Sequence, residues 1–355
     1  MPEAFSEVML RFMKKGDNRM IIDLHCDTIS KLRDYRMGRT VNIEKEFDGS
    51  EKVSQLYRNP FHLDIERMKQ EDYLLQNFAI YIDSDLDPDV YEAYCAMYQL
   101  FQDEMERNRE HIRQVFSFSD VLQNRETGKI SALLTVEEGQ VADSISRLDE
   151  LYRDGVRLIT LTWNHKNAIG CPNCIRPDGS YSLTMPNTED GLTEYGLDVI
   201  ARMEELGIMI DVSHLSDRGF YDVCENTKKP FLASHSNARS MTAHVRNLTD
   251  DMIRKISIRG GVIGVNFETS FLGPENDCGL AAIIRHLEYL RNTGGEESLA
   301  LGSDFDGIKG NPELRTVQDM NRLWDALHRS GWKQSTLDKL FHENVLRFYR
   351  EVLPK

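Results

Sequence analysis

The sequence has no surplus of basic residues: 43 lysines and arginines stand against 58 aspartates and glutamates, a formal net charge of -15. No basic cluster interrupts that balance, which argues against nucleic acid or an anionic membrane surface as partner. No apolar run approaches the length that spans a bilayer. The first 20 residues break their apolar positions with Arg11, Lys14, Lys15, Asp17 and Arg19, so no secretory leader is expected there. A lipid-anchor signal is missing at the polar C-terminus, and a cytoplasmic location is the resulting expectation. Cysteine is sparse, with six residues at 26, 95, 171, 174, 224 and 278. A chain this large with so few does not form a disulfide framework. Only Cys171-Pro172-Asn173-Cys174 has suggestive spacing, and no second pair completes a zinc site. The glycines of Gly260-Gly261-Val262-Ile263-Gly264 lack the strand–turn–helix context of a nucleotide loop.

What is present is a profile of 40% hydrophobic and 28% charged residues over 355 positions, that of a soluble globular protein. Residues 1–19 read as a helical extension and 20–355 as a single domain, without linker or repeat. Apolar, β-branched runs begin at Ile21 and recur over 76–83, 130–138, 156–163, 208–214, 231–235, 261–267 and 299–307. Helical patterns alternate with them over 88–114, 142–154, 191–206, 216–228, 249–258 and 279–292, and a last amphipathic helix starts at Ser335. Asp87 and Pro88 suit the start of the first of these. Eight strands alternating with helices imply an α/β fold with parallel strands, a (β/α)8 TIM barrel. The long loop 164–190 over the end of strand four has the length of a functional loop.

Polar residues collect at the C-terminal ends of these strands, the face where barrel enzymes build their sites. His25 and Asp27 close strand one, two residues apart and so on one face of a strand. Glu137 and Glu138 close strand three, His214 and His235 close strands five and six, and Asp304 and Asp306 close strand eight. Each of the two later histidines follows a serine. Three histidines with carboxylates make a nitrogen and oxygen ligand set suited to zinc, with manganese, iron or cobalt as alternatives. The ligands outnumber one tetrahedral sphere, which points to two metal ions sharing a carboxylate.

Asp-Leu-His25-Cys-Asp27-Thr, Val-Glu137-Glu-Gly, Asp-Val-Ser-His214, Ser-His235-Ser and Gly-Ser-Asp304-Phe-Asp306-Gly together resemble the membrane dipeptidase (renal dipeptidase) family, a binuclear-zinc branch of the amidohydrolase-like barrels. The resemblance runs from about residue 20 to 350. It implies that His25 and Asp27 bind one zinc ion, that His214 and His235 bind the other, and that Glu137 bridges them. It implies Asp304 as the proton carrier and Arg246 as the reader of the substrate's terminal carboxylate. It departs at strand four, where Trp163 stands in place of a histidine and His165 follows two residues later. Both become candidates for holding substrate.

The chemistry expected of such parts is attack on a scissile carbonyl by hydroxide bridging two zinc ions, with Asp304 as base and then acid. The resemblance implies free dipeptides as substrates, D-residues tolerated on the C-terminal side, and a homodimer. Rival readings are another binuclear metal hydrolase, such as an N-acyl amino acid deacylase or a deaminase, or a non-catalytic binding protein. The last predicts a missing ligand, and none is missing.

Overall fold

A computed structural model of the chain describes residues 19–39, 41 and 55–354. The extension expected over 1–19 lies, apart from Arg19, outside these residues. The apolar runs form strands β1 (Ile21–Asp23), β2 (Tyr73–Tyr81), β3 (Ile112–Gln114), β4 (Ile130–Glu137), β5 (Val156–Thr160), β6 (Met209–Asp211), β7 (Ile263–Val265) and β8 (Leu299–Leu301). They pair in parallel in the order β6-β5-β4-β2-β1-β8-β7. The two ends of that order meet through 231–235, which was expected as a full strand. It forms only single bridges, Leu232 to Asp211 of β6 and Ala233 to Ile263 of β7. With that stave in place the sheet is an eight-stave (β/α)8 barrel. None of the described helices is long and apolar enough to cross a membrane.

Element ends differ from the sequence reading, most of all around the first long helix. The helix expected over 88–114 runs Val90–Arg107, and β3 follows it. Ile112 and Gln114 are buried while Arg113 is exposed, a strand alternation masked by the helix formers around it. Strand β3 pairs with the first half of β4, on the edge that β5 takes over from Leu134. The helix is capped by Asp89, which accepts from the Glu92 amide, and not by Asp87. Asp87 is instead held by Arg33 at 2.7 Å and Arg39 at 3.0 Å.

Alternation within β4 divides the core. Ile130, Ala132, Leu134 and Val136 face the helices, whereas Leu133 joins a separate inner cluster with Ile22, Leu24, Leu75 and Leu158. The C-terminal helix closes that inner cluster. Its first part, Leu337 to Phe341, packs with the outer core, and Val345, Phe348 and Tyr349 pack with the inner one. A π-turn over Lys339–Glu343 spans the changeover and resets the buried face. Tyr349 then donates from its hydroxyl to Asn77 Oδ1 at 2.7 Å.

The stave 231–235 sits close to its neighbours because two positions lack side chains. A Cβ at Gly264 would fall 2.0 Å from the Ser234 carbonyl oxygen, and one at Gly302 would fall 1.9 Å from the same atom. Either Gly264→Ala or Gly302→Ala should therefore destabilise the barrel by about 1–3 kcal/mol, the usual scale for overpacking. A shift in the urea midpoint with unchanged slope is the expected result. An unchanged midpoint would mean that the stave moves at no cost.

Candidate metal centre

Two buried aspartates hold the strand ends that carry the site. Asp23, at the end of β1, accepts from the Ser303 amide at 2.9 Å, from the Ser303 hydroxyl and from the His25 amide at 3.3 Å. Asp211, at the end of β6, accepts from the amides of Ser213 and Ser234 at 3.0 and 2.9 Å, from the Ser234 hydroxyl and from Thr160. The serines that precede His214, His235 and Asp304 are thus stitched to a carboxylate beneath them. Burial pushes the Asp23 carboxyl up to about 6 against those hydrogen bonds. The backbone above is forced into left-handed conformations at Glu138, His214, Asp304 and Asp306, with φ of 121°, 68°, 63° and 72°. Such positions cost about 1–3 kcal/mol each and collect at functional sites.

His25 and Asp27 converge, though not by strand alternation. Strand β1 ends at Asp23, and Asp27 occupies the N-cap position of the helix Thr28–Arg36 without using its side chain as a cap. Its Oδ2 lies 3.2 Å from His25 Nε2. Glu137 completes the arrangement from the end of β4. Its Oε2 lies 3.3 Å from His25 Nε2, and its Oε1 lies 3.0 Å from His214 Nε2 and 3.4 Å from His235 Nε2. One carboxylate therefore faces His25 with one oxygen and the other two histidines with the other.

The donor set fits a cation. His214 Nδ1 faces Asn164 Oδ1 at 3.0 Å, and His235 Nδ1 faces the Ser234 hydroxyl at 2.7 Å. Asn164 offers an acceptor there, and Ser234 gives its own proton to Asp211. Both Nδ1 atoms thus carry hydrogen, and both Nε2 atoms present lone pairs, 3.1 Å apart. Two lone pairs at that distance repel unless a positive charge lies between them. Asp27 Oδ1 is buried and, among the described residues, has no hydrogen-bond partner. Gly307 leaves space beside it, since a Cβ there would fall 2.2 Å from Asp27 Oδ2 and 2.4 Å from Asp304 Oδ1. One atom each from His25, Glu137 and His235 lies within 4.8 Å of the others, and so does one each from His25, Asp27 and Asp304. The two groups share His25.

Charge is distributed accordingly. Burial disfavours the His25 cation, but Glu137 and Asp27 outweigh it and raise the imidazole well above its ordinary value. Burial with the nearby Arg246 takes His214 down to about 3, and burial with the nearby His25 takes His235 well below its usual range. Burial raises Asp304, and the neighbouring Glu137 adds to this against the opposing pull of His25.

Asp304, Glu137, His214 and Arg246 line one open cleft of about 210 Å3, with Tyr81, Trp163 and Phe271 among its walls. Asp304 Oδ1 lies 3.9 Å from His25 Nε2, and its Oδ2 accepts from Asn266 Nδ2 at 2.9 Å. Trp163 meets Tyr81 edge-on, with ring centres 4.9 Å apart. His165 is not part of the cleft lining; its Nε2 points to Asp83 at 3.3 Å. Glu138 turns to the Gln140 amide and to Asn167, away from the histidines. Asp306 turns away too, accepting from Thr28 at 2.6 Å, the His62 amide at 2.8 Å and Lys31 at 3.2 Å. Asn164, Asn266, Lys31 and His62 escape a reading of the sequence because each reaches the site's residues only through the folded chain.

The model of the membrane dipeptidase family, peptidase family M19, matches residues 13–353. The chain belongs to that family. It is 38% identical over 246 residues to an uncharacterized protein in the pqqA 5′ region of Klebsiella pneumoniae, covering 68% of this chain and 89% of that one. It is 29% identical to an uncharacterized dipeptidase of Schizosaccharomyces pombe, covering 96% of this chain and 82% of the other. Among solved structures, an M19 metallopeptidase described as dipeptidase AC superposes with a TM-score of 0.81 at 27% identity, covering 95% of this chain and 99% of that one. A metallopeptidase of Rhodobacter sphaeroides, solved with a phosphinate mimic of the dipeptide L-Ala-D-Ala, does so at 0.80 and 25%, covering 95% and 100%. The M19 assignment makes this chain a dipeptidase of a metallopeptidase family.

The two adjacent glutamates separate experimentally. Glu137→Gln should lose metal, read by elemental analysis after dialysis, whereas Glu138→Gln should retain it. The reverse pattern would contradict the geometry. Asp306→Ala should keep the ligands but strand Lys31 in the interior, at about 3–5 kcal/mol of stability. Chemical denaturation measures that loss.

Proposed function

We propose that the chain hydrolyses the peptide bond of free dipeptides, including those with a D-residue at the C-terminal side, with two zinc ions held by His25, Asp27, Glu137, His214 and His235. The observation that carries this reading is Arg246. Its guanidinium is buried, opens on the same cleft as Glu137, and among the described residues has no carboxylate within ion-pair distance. Its Nη2 donates to the His235 carbonyl at 3.2 Å, Phe271 lies 5.4 Å from its carbon centre, and its Nε has no partner. Buried charges are ordinarily paired, so the missing partner belongs to a ligand. A substrate with a free carboxylate close to the scissile bond supplies it. The phosphinate dipeptide carried by the Rhodobacter protein supports a substrate of this length and stereochemistry.

When bound, zinc would supply Lewis acidity and a water acidic enough to attack at neutral pH. The residues then have separate tasks. Glu137 with the three histidines and Asp27 fixes where the carbonyl lies. Asp304, held by Asn266 through Oδ2, keeps Oδ1 toward the centre, takes the proton of the attacking water and passes it to the leaving amine. Tyr81, Trp163 and Phe271 exclude water beside the scissile bond. A cytoplasmic homodimer belongs to the same proposal, and six free cysteines suit a reducing compartment. A deaminase would use the same centre but has no need of a carboxylate reader beside it, whereas an N-acyl amino acid deacylase has the same need, and turnover of dipeptides against N-acyl amino acids separates it from a dipeptidase.

A panel of L-L and L-D dipeptides and their amides tests the reading. Asp304→Asn should keep its metal and lose about two or more orders of magnitude in turnover. Arg246→Ala should lose about 1.5–3 kcal/mol in kcat/KM on free dipeptides and much less on amides. Equal losses on acid and amide would remove Arg246 from substrate recognition.

A further inference from the structure

Asn164 opens the long loop after β5 and lines the cleft together with His214. Two donors converge on its Oδ1: His214 Nδ1 at 3.0 Å and the Cys174 thiol at 3.5 Å. Burial pushes that thiol up to about 11, so it keeps its proton and acts as a donor. The protonated thiol beside that atom places the oxygen end of the amide toward Cys174 and His214, and Nδ2 is the other end. Among the described residues that Nδ2 has no protein partner, although the atom belongs to a residue on the cleft wall.

The turn Cys171-Pro172-Asn173-Cys174 grips His214 from both sides. The Asn173 amide donates to the His214 carbonyl at 2.8 Å, while Cys174 secures the amide that faces the imidazole. The turn itself is anchored through Asn173 Nδ2, which donates to Asp217 at 2.7 Å and to the Val245 carbonyl at 2.8 Å. Both cysteines are buried and unbridged. The pair with the suggestive spacing thus sits in a clamp on His214.

We infer that Asn164 works in two directions: its Oδ1 holds His214 in the tautomer and orientation that present Nε2 to the metal, and its Nδ2 donates to the scissile carbonyl oxygen as negative charge develops there. The second half rests on the dipeptidase reading above; the first half does not. A donor preset at a developing oxyanion is among the larger single contributions to hydrolytic catalysis, and a group hydrogen-bonded to a ligand's far nitrogen raises metal affinity.

Two substitutions separate the halves. Asn164→Asp keeps an oxygen for His214 and removes the donor; Asn164→Ala removes both. Asn164→Asp should retain wild-type zinc content, lose about 100-fold or more in kcat with little change in KM, and weaken binding of a phosphinate alanyl-dipeptide mimic by a similar factor. Asn164→Ala should show the same losses and also release zinc to a competing chelator at about 10- to 100-fold lower chelator concentration. Wild-type kcat and phosphinate affinity in Asn164→Asp would overturn the donor half. Wild-type zinc retention in Asn164→Ala would overturn the positioning half. If the wild-type protein binds zinc but cleaves no dipeptide, the donor half falls with the proposed function, and the chelator comparison still decides the positioning half.

Discussion

Glu137 is buried with almost no solvent to share its charge, and its two oxygens face different imidazoles. A carboxylate so placed would be driven to its neutral form by burial alone. The charge on His25 opposes that effect, and the carboxyl stays well below the ordinary carboxylate range. The rest of the barrel mouth answers to this arrangement. His25 is drawn toward its cationic form, His214 and His235 toward their neutral forms, and Asp27 up to about 7 by burial despite His25. A set of ligands in these mixed states is balanced most simply by positive charge at its centre.

Holding such groups together requires support below them, and Asp23 and Asp211 provide it. Each is fully buried and spends its oxygens on serine amides and hydroxyls of an adjacent stave. Those bonds replace sheet pairing where β1, β6 and the 231–235 stave stop short. They also explain how His214 and Asp304 are kept at positive φ, since the amides on their N-terminal side are fixed to a carboxylate. The strain at the mouth is thus offset by hydrogen bonds one layer deeper.

The barrel and the placement of these polar side chains at its mouth were legible because both follow from local pattern. Apolar runs at regular intervals predict the staves, and a polar residue at the end of such a run can only lie at the mouth. The resemblance picks Glu137 over Glu138, and the folded chain gives the physical reason. Alternation along β4 turns Glu137 inward with Leu133 and Thr135, while Glu138 adopts a φ of 121° and serves the loop through Asn167. Asp306 shows the opposite failure. Its spacing from Asp304 suggested a shared face, yet the backbone leaves the strand at Leu301 and the two side chains diverge. The short strand β3 was hidden because one alternating triplet carries too little periodicity to stand out against a helix.

The contrast between Asp306 and Arg246 shows how burial alone fails to separate structure from function. Both are charged and inside the protein. Asp306 has Lys31, Thr28 and the His62 amide around it, so its charge is spent within the fold and it lies below the ordinary carboxylate range despite burial. Among the described residues the Arg246 guanidinium hydrogen-bonds a carbonyl and faces an aromatic ring, and burial lowers it while the more distant Glu137 and Asp304 pull the other way. Those acids hold the guanidinium charged without touching it. Cations among them would cancel that field, leaving the arginine dependent on an anion from outside. The residue proposed to read the substrate's end is in this way tied to the proposed metal centre through charge and not through contact.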